Sequence, residues 1–307
     1  MFRTIVFVTL ASASFAQVFA QISVPTLGLL PDSGGLRPAV GIPAAGSVGD
    51  VLPLTSQLGL TAASRDYALA VAADSGTVLF ITTDGTSTAI AGVVASPDLI
   101  QLSPQGSAAA IFSASAQKVQ ILTGLPAAPA ILREVSTATL QGAPSALAVS
   151  DDGSLLAGIW PGGGYLFRAS GDLVPLPASS PLLAIAFSAG LADLALITSA
   201  DVQVLRDSGL TRVAAFDTPL SATAAALTPQ LLIVADTQGN ILTFDLNAGT
   251  SSSINCLCSP QGLFPVSRTA FRLTGLESGA FKILDTSQGA VWLVPLALPA
   301  VSAGGQQ

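Results

Sequence analysis

The chain has 307 residues, of which half are apolar and 9% are charged, with a net charge of −7, a pI near 4.3 and no histidine. Average soluble domains carry roughly 25% charged residues, so this composition first suggests a membrane protein. The distribution excludes a spanning helix: after residue 21 the longest apolar run, AVWLVPLALPAV, is twelve residues with two prolines, and a span needs about 20 apolar residues. A transmembrane barrel would show aromatic girdles, whereas aromatics are only 6% of this chain. Nucleic-acid binding draws on clustered Lys and Arg, and the only lysines are Lys118 and Lys282. The acidic balance also argues against docking on anionic lipid.

In chain order, MFRTIVFVTLASASFAQVFAQ has one cation, Arg3, then an apolar stretch, then small residues. That three-part grammar predicts a secretory signal peptide over residues 1–20. Cleavage is expected after Ala20, with Val18 at −3; cleavage after Ala16 and an uncleaved anchor helix are the alternatives. The mature protein is then secreted or periplasmic, with one domain over 21–298 and a flexible C-terminal tail over 299–307.

An internal repeat follows. An apolar alternation leads into Ser or Thr, then a turn, then a second apolar run, at Ser64, Ser103, Ser150, Ser188, Thr228 and Ser267. Ser23 stands 41 residues before Ser64 and leaves room for one weaker unit. The best copy offers four strand candidates, SALAVS, SLLAGIW, GYLFRA and DLVPLP, separated by Gly, Ser or Asp. A period near forty with four short strands per period predicts an all-β propeller of four-stranded blades. Six good units and one degenerate unit give seven blades. In SDDG, an Asp can cap the turn and Gly153 can take a positive φ.

SDDGSLLA and SPQGSAAAI resemble the S-x-D-G turn of YVTN and WD40-like propellers in bacterial exported proteins of unassigned function. LRPAVGIPAAG (36–46) and TAFRLTGLESGAFKILD (269–285) are similar to propeller-like proteins of soil bacteria. The Gly-His and Trp-Asp marks of WD40 repeats are absent. The resemblance implies a fold and an exported location, and no chemistry.

No catalytic residue, cofactor or metal site is expected. Nucleophilic triads need a base, most often His. Both lysines fall in third strands, where they read as solvent-side residues. Most of the sixteen aspartates sit in turn signals such as PDSGG, TDG and SDDG, and glutamate occurs only at Glu134 and Glu277. WPGGGYLF (160–167) is a hairpin turn, since a phosphate cradle also needs a following helix. Cys256 and Cys258, in INCLCSP, are either a local disulfide or two partly buried thiols.

Arg and Trp favour interface hot spots, so the binding candidates are Arg268, Trp160, Arg272 and Arg37. Trp160 and Trp292 have a competing role as filler between blades. The functional expectation is an exported, monomeric binding or scaffold module for another protein or a polysaccharide. The alternatives are a carboxylate-dependent polysaccharide lyase or hydrolase and a structural part of the cell envelope. The strong terminal strand AVWLVPLAL is expected to meet the N-terminal unit and close the ring.

Overall fold

The computed structural model describes residues 25–297 except 34, 179, 277 and 278. The expected leader, Ser23 itself and the C-terminal tail lie outside the described residues, while the weaker N-terminal unit is described from residue 25 on. Within them the regular structure is entirely strand, in seven antiparallel sheets whose strands follow one another in chain order. Blade 1 has three strands, Thr26–Asp32, Gly35–Ile42 and Ala45–Val48. Blades 2 to 7 have four each and begin at Leu58–Ala63, Leu99–Leu102, Ala146–Val149, Leu182–Phe187, Ala222–Leu227 and Phe264–Pro265. The chain folds as a seven-bladed β-propeller.

The repeated Ser or Thr stands one or two residues past the end of these first strands, and its side chain explains the repeat. Leu155 N donates to Ser150 Oγ at 2.9 Å, Ala108 N to Ser103 Oγ at 3.0 Å, and Leu231 N to Thr228 Oγ1 at 2.8 Å. Ser64 and Ser267 take the same bond from Tyr67 N and Ala270 N. Each hydroxyl satisfies the amide at the start of the second strand or the one just before it, so the hairpin closes without an orphan donor. In blade 4, Ser154 N donates to Asp152 Oδ1 at 2.9 Å, and Gly153 adopts φ +71° in the same turn.

The second strands are buried on both faces. Tyr67–Ala72, Ala109–Ser113, Leu156–Trp160 and Leu194–Thr198 have no exposed residue. Each is sandwiched between neighbouring blades, so it reads as a continuous apolar run rather than an alternation. That accounts for a composition that is half apolar although, among the described residues, no helix is long and apolar enough to cross a membrane. The hydrophobic clusters lie between blades: Phe112 and Ile121 of blade 3 pack with Leu156, Trp160 and Phe167 of blade 4.

Polar links reinforce the same junctions. Tyr67 donates its hydroxyl to Gly106 O at 2.7 Å, and burial pushes its pKa well above the usual phenol range. Asp151 Oδ1 accepts from Gln105 N at 2.8 Å and Oδ2 from Gly190 N at 2.7 Å, so one carboxylate joins blades 3, 4 and 5. Replacing Asp151 with Ala leaves two amides without that charged acceptor. Bonds to charged groups contribute about 1.5–3 kcal/mol each, and partial exposure brings the expected loss to about 2 kcal/mol. Urea denaturation of Asp151→Ala checks it through a lower midpoint at unchanged m-value.

The ring closes between blades 7 and 1. Leu27, Leu30, Ala39 and Val48 share one core with Val266, Ala270, Phe281, Ile283 and Val294. Leu296 pairs with Val48 in a parallel bridge, and Ala297 N donates to Val48 O at 2.9 Å. The terminal strand of blade 7 and the N-terminal blade meet there, in adjacent blades, as that strand implied.

Candidate functional site

The turns between first and second strands gather on one face, as the bonds of Asp151 to the turns on either side require. This face carries two shallow recesses. One, of about 170 Å³, lies beside Ser150, Asp151, Gly190 and the exposed Leu191. The other, of about 160 Å³, opens where blades 7, 1 and 2 meet, with Pro25, Leu27, Ile42, Pro43 and Val266 as apolar lining and Arg65 beside them. Ile42 is 55% exposed. Arg65 is half exposed and only loosely paired with Asp66, at 3.8 Å. Ser267 lines the same cleft, and the next residue, Arg268, is exposed with no polar partner among the described residues.

Arg268 therefore stands where a binding residue could act. The other three binding candidates are engaged inside the fold. Trp160 is 3% exposed, not displayed at a glycine turn. Its indole meets Phe167 edge-on at 5.8 Å and Tyr165 at 6.2 Å, in the core between blades 3 and 4. The turn at Pro161–Gly162 is exposed, but the strand before it is the buried second strand. Trp292 is partly buried in the last strand.

Arg272 is 6% exposed, with its guanidinium 4.1 Å over the Phe264 ring and Nη1 donating to Thr274 O. Burial lowers its pKa to about 10, which leaves it charged at neutral pH. Arg37 is tied to Asp32 at 2.6 Å and to Gly49 O at 3.2 Å. The Arg37 hydrogen bond and that from Ser33 N hold the Asp32 carboxyl below the usual range.

The aspartates mostly act as acceptors for their own turns. Asp245 takes bonds from Asn247 N and Ala248 N, which lower its pKa. Asp236 serves Gln238, Asn240 N and Asn240 Nδ2. Asp201 differs, because it is buried at the start of a third strand. Desolvation opposes its charge, but bonds from Thr198 and Gln203, with Arg212 at 3.1 Å, outweigh it and lower its pKa. Among the described residues no three His, Cys, Asp or Glu side chains converge as metal ligands.

One feature escaped the sequence reading. Lys282 leaves its third strand to donate to Cys256 O at 2.8 Å and also to Leu257 O. Cys256 and Cys258 are joined as a disulfide. The residue between them, Leu257, is 85% exposed at φ +50°. A lysine at a strand position carries no signal for this, since its targets lie two dozen residues earlier in the neighbouring blade's exit loop.

No family model matches the chain, and no curated protein matches it either. Solved structures do. A streptogramin B lyase structure is similar at a TM-score of 0.58 and 11% identity, over 90% of each chain. Apo AztD from Citrobacter koseri is similar at 0.54 and 10% identity, over 88% of this chain and 94% of that one. PorZ, a surface component of the type-IX secretion system of Porphyromonas gingivalis, is similar at 0.59 and 12% identity, over 91% of this chain and 38% of that one. The chain spans 61% of the RRP9 WD40-repeat chain, at a TM-score of 0.47 that carries no argument. At these identities the likenesses show the propeller fold alone.

Proposed function

We infer that the chain is an exported propeller that binds a protein partner through its turn face, at the cleft where blades 7, 1 and 2 meet. The carrying observation is the coincidence there of an exposed aliphatic side chain, Ile42, with an exposed cation, Arg65, and with Ser267, whose chain neighbour is the exposed Arg268. Cations are scarce in this chain, eleven in 307 residues. Of the other arginines, Arg37 and Arg206 form ion pairs at 2.6 and 2.9 Å. Arg133 donates to Arg168 O and Ser154 O, Arg212 pairs with Asp201 at 3.1 Å and Arg272 is buried, while Arg168 is exposed in blade 4. An apolar contact rimmed by exposed cations suits a protein surface with an apolar centre and acidic neighbours. Export rests on the N-terminal grammar, and the neighbours that come from bacterial proteins are compatible with it.

A scaffold role needs no chemistry, and the aspartates used as turn acceptors support that reading. The test is affinity capture of the tagged protein from native envelope and secreted fractions, beside an Ile42→Asp, Arg65→Glu, Arg268→Glu variant. A stoichiometric protein captured by the parent and reduced at least about tenfold in the variant supports the reading. Equal capture by both, or retention of polysaccharide with no protein, overturns it.

A further inference from the structure

The geometry points to a second activity at the Cys256–Cys258 loop, thiol–disulfide exchange with the dithiol of another protein or with glutathione. The bond joins residues only two apart in sequence. A ring that small removes little freedom from the unfolded chain, so chain constraint does not explain it. The loop is also held without it. Cys256 N donates to Gly239 O at 2.8 Å, Leu257 N to Asn255 Oδ1 at 2.8 Å, and Lys282 to two carbonyls of the ring. Gly239, at φ +84°, lets the ring lie flat on it, and a methyl there would collide with Cys258 O. Opening the bond therefore leaves Cys256 anchored and the pair close enough to close again, while Leu257 is released from the ring that fixes its φ.

Two further features give the pair a direction. Leu257 sits in the left-handed region, where an L side chain is strained. Its side chain is 85% exposed, so it gains nothing from burial in return. Reduction lets that residue relax, which favours the open form and makes the closed form an oxidant. The sulfurs are unequal: Cys256 is buried in the core between blades 6 and 7, while Cys258 is only partly buried.

The attacking thiolate meets Cys258 Sγ and forms a mixed disulfide as the Cys258–Cys256 bond breaks. The electron pair leaves on Cys256 Sγ, in the loop whose Cys256 and Leu257 carbonyls accept from Lys282. The second thiol of the partner then attacks the mixed disulfide. The partner leaves oxidised, and Cys256 and Cys258 are reduced by two electrons and take up its two protons.

The test uses the full chain in a series of reduced and oxidised glutathione mixtures, with acid quench, thiol alkylation and mass spectrometry, and circular dichroism on each sample. The expected result is reversible two-thiol reduction with the strand signal unchanged. Leu257→Gly, which accepts the left-handed φ without strain, should need a reduced-to-oxidised ratio about tenfold higher for half reduction. Lys282→Met should slow reduction while the fold is retained. A disulfide that yields only when the strand signal is lost overturns the inference, as does a Leu257→Gly variant that titrates with the parent. These readouts involve no partner at the seam cleft, so they stand or fall apart from the proposed binding role.

Discussion

Deleting residues 290–297 should turn one sharp unfolding transition into a broad one at much lower temperature, with a reduced urea m-value. These residues form the outer strand of blade 7, bring Val294 fully into the closing core and carry the Leu296–Val48 bridge. The other six junctions are each made by blades contiguous in sequence; this one alone joins the two ends of the described chain. Without it blades 1 and 7 expose apolar faces. With burial contributing roughly 25 cal/mol per Å² of apolar area, the loss is about 5 kcal/mol or more, comparable to the whole stability of many domains. Phe281→Ala, 1% exposed in the same core, probes the seam without removing a strand and should cost about 3–5 kcal/mol. An unchanged transition in both variants would place the closure elsewhere.

Trp160→Ala should destabilise the protein by about 3–5 kcal/mol, read as a lower denaturation midpoint. The indole fills the gap between blades 3 and 4 against Phe167 and Tyr165, and neither face of its strand reaches solvent. Its Nε1 is buried with no acceptor. Trp160→Phe should therefore cost less than the volume change alone implies, since it also removes an unsatisfied donor. A binding role predicts the reverse pattern: normal stability in Trp160→Ala with partner capture lost. The two outcomes separate on one melting curve.

The repeat was legible because its cause is local. A hydroxyl at the end of one strand and the amide that begins the next lie within a few residues, so Ser64, Ser103, Ser150, Thr228 and Ser267 each carry their own turn. The first strands end at these anchors within one or two residues. Ser188 keeps the pattern in sequence, but its Oγ is buried without a partner; nothing in the structure explains why the hydroxyl is kept there. The binding candidates were less legible. Residue type marked Arg37, Arg268, Arg272 and Trp160 alike, whereas burial separates them. Asp32 could have flagged Arg37, since a hairpin that pairs Asp32 with Gly35 brings the two charges together five residues apart. Arg272 could not be flagged, because its partner ring at Phe264 depends on the register of a two-residue strand.

By itself the sequence determined the seven-fold repeat, the strand order within each blade and the turn chemistry. Those rest on interactions between residues a few positions apart, where chain connectivity leaves little choice. Only the tertiary structure decided which arginines are spent, which tryptophan is core, where the ring closes and that Lys282 clamps the cysteine loop. The tryptophan, the ring closure and the Lys282 clamp depend on contacts between blades, whereas Arg37 and Arg272 meet their partners through strand pairing inside their own blades. What distinguishes one arginine from another is which carbonyl, ring or carboxylate the pairing of strands brings beside it.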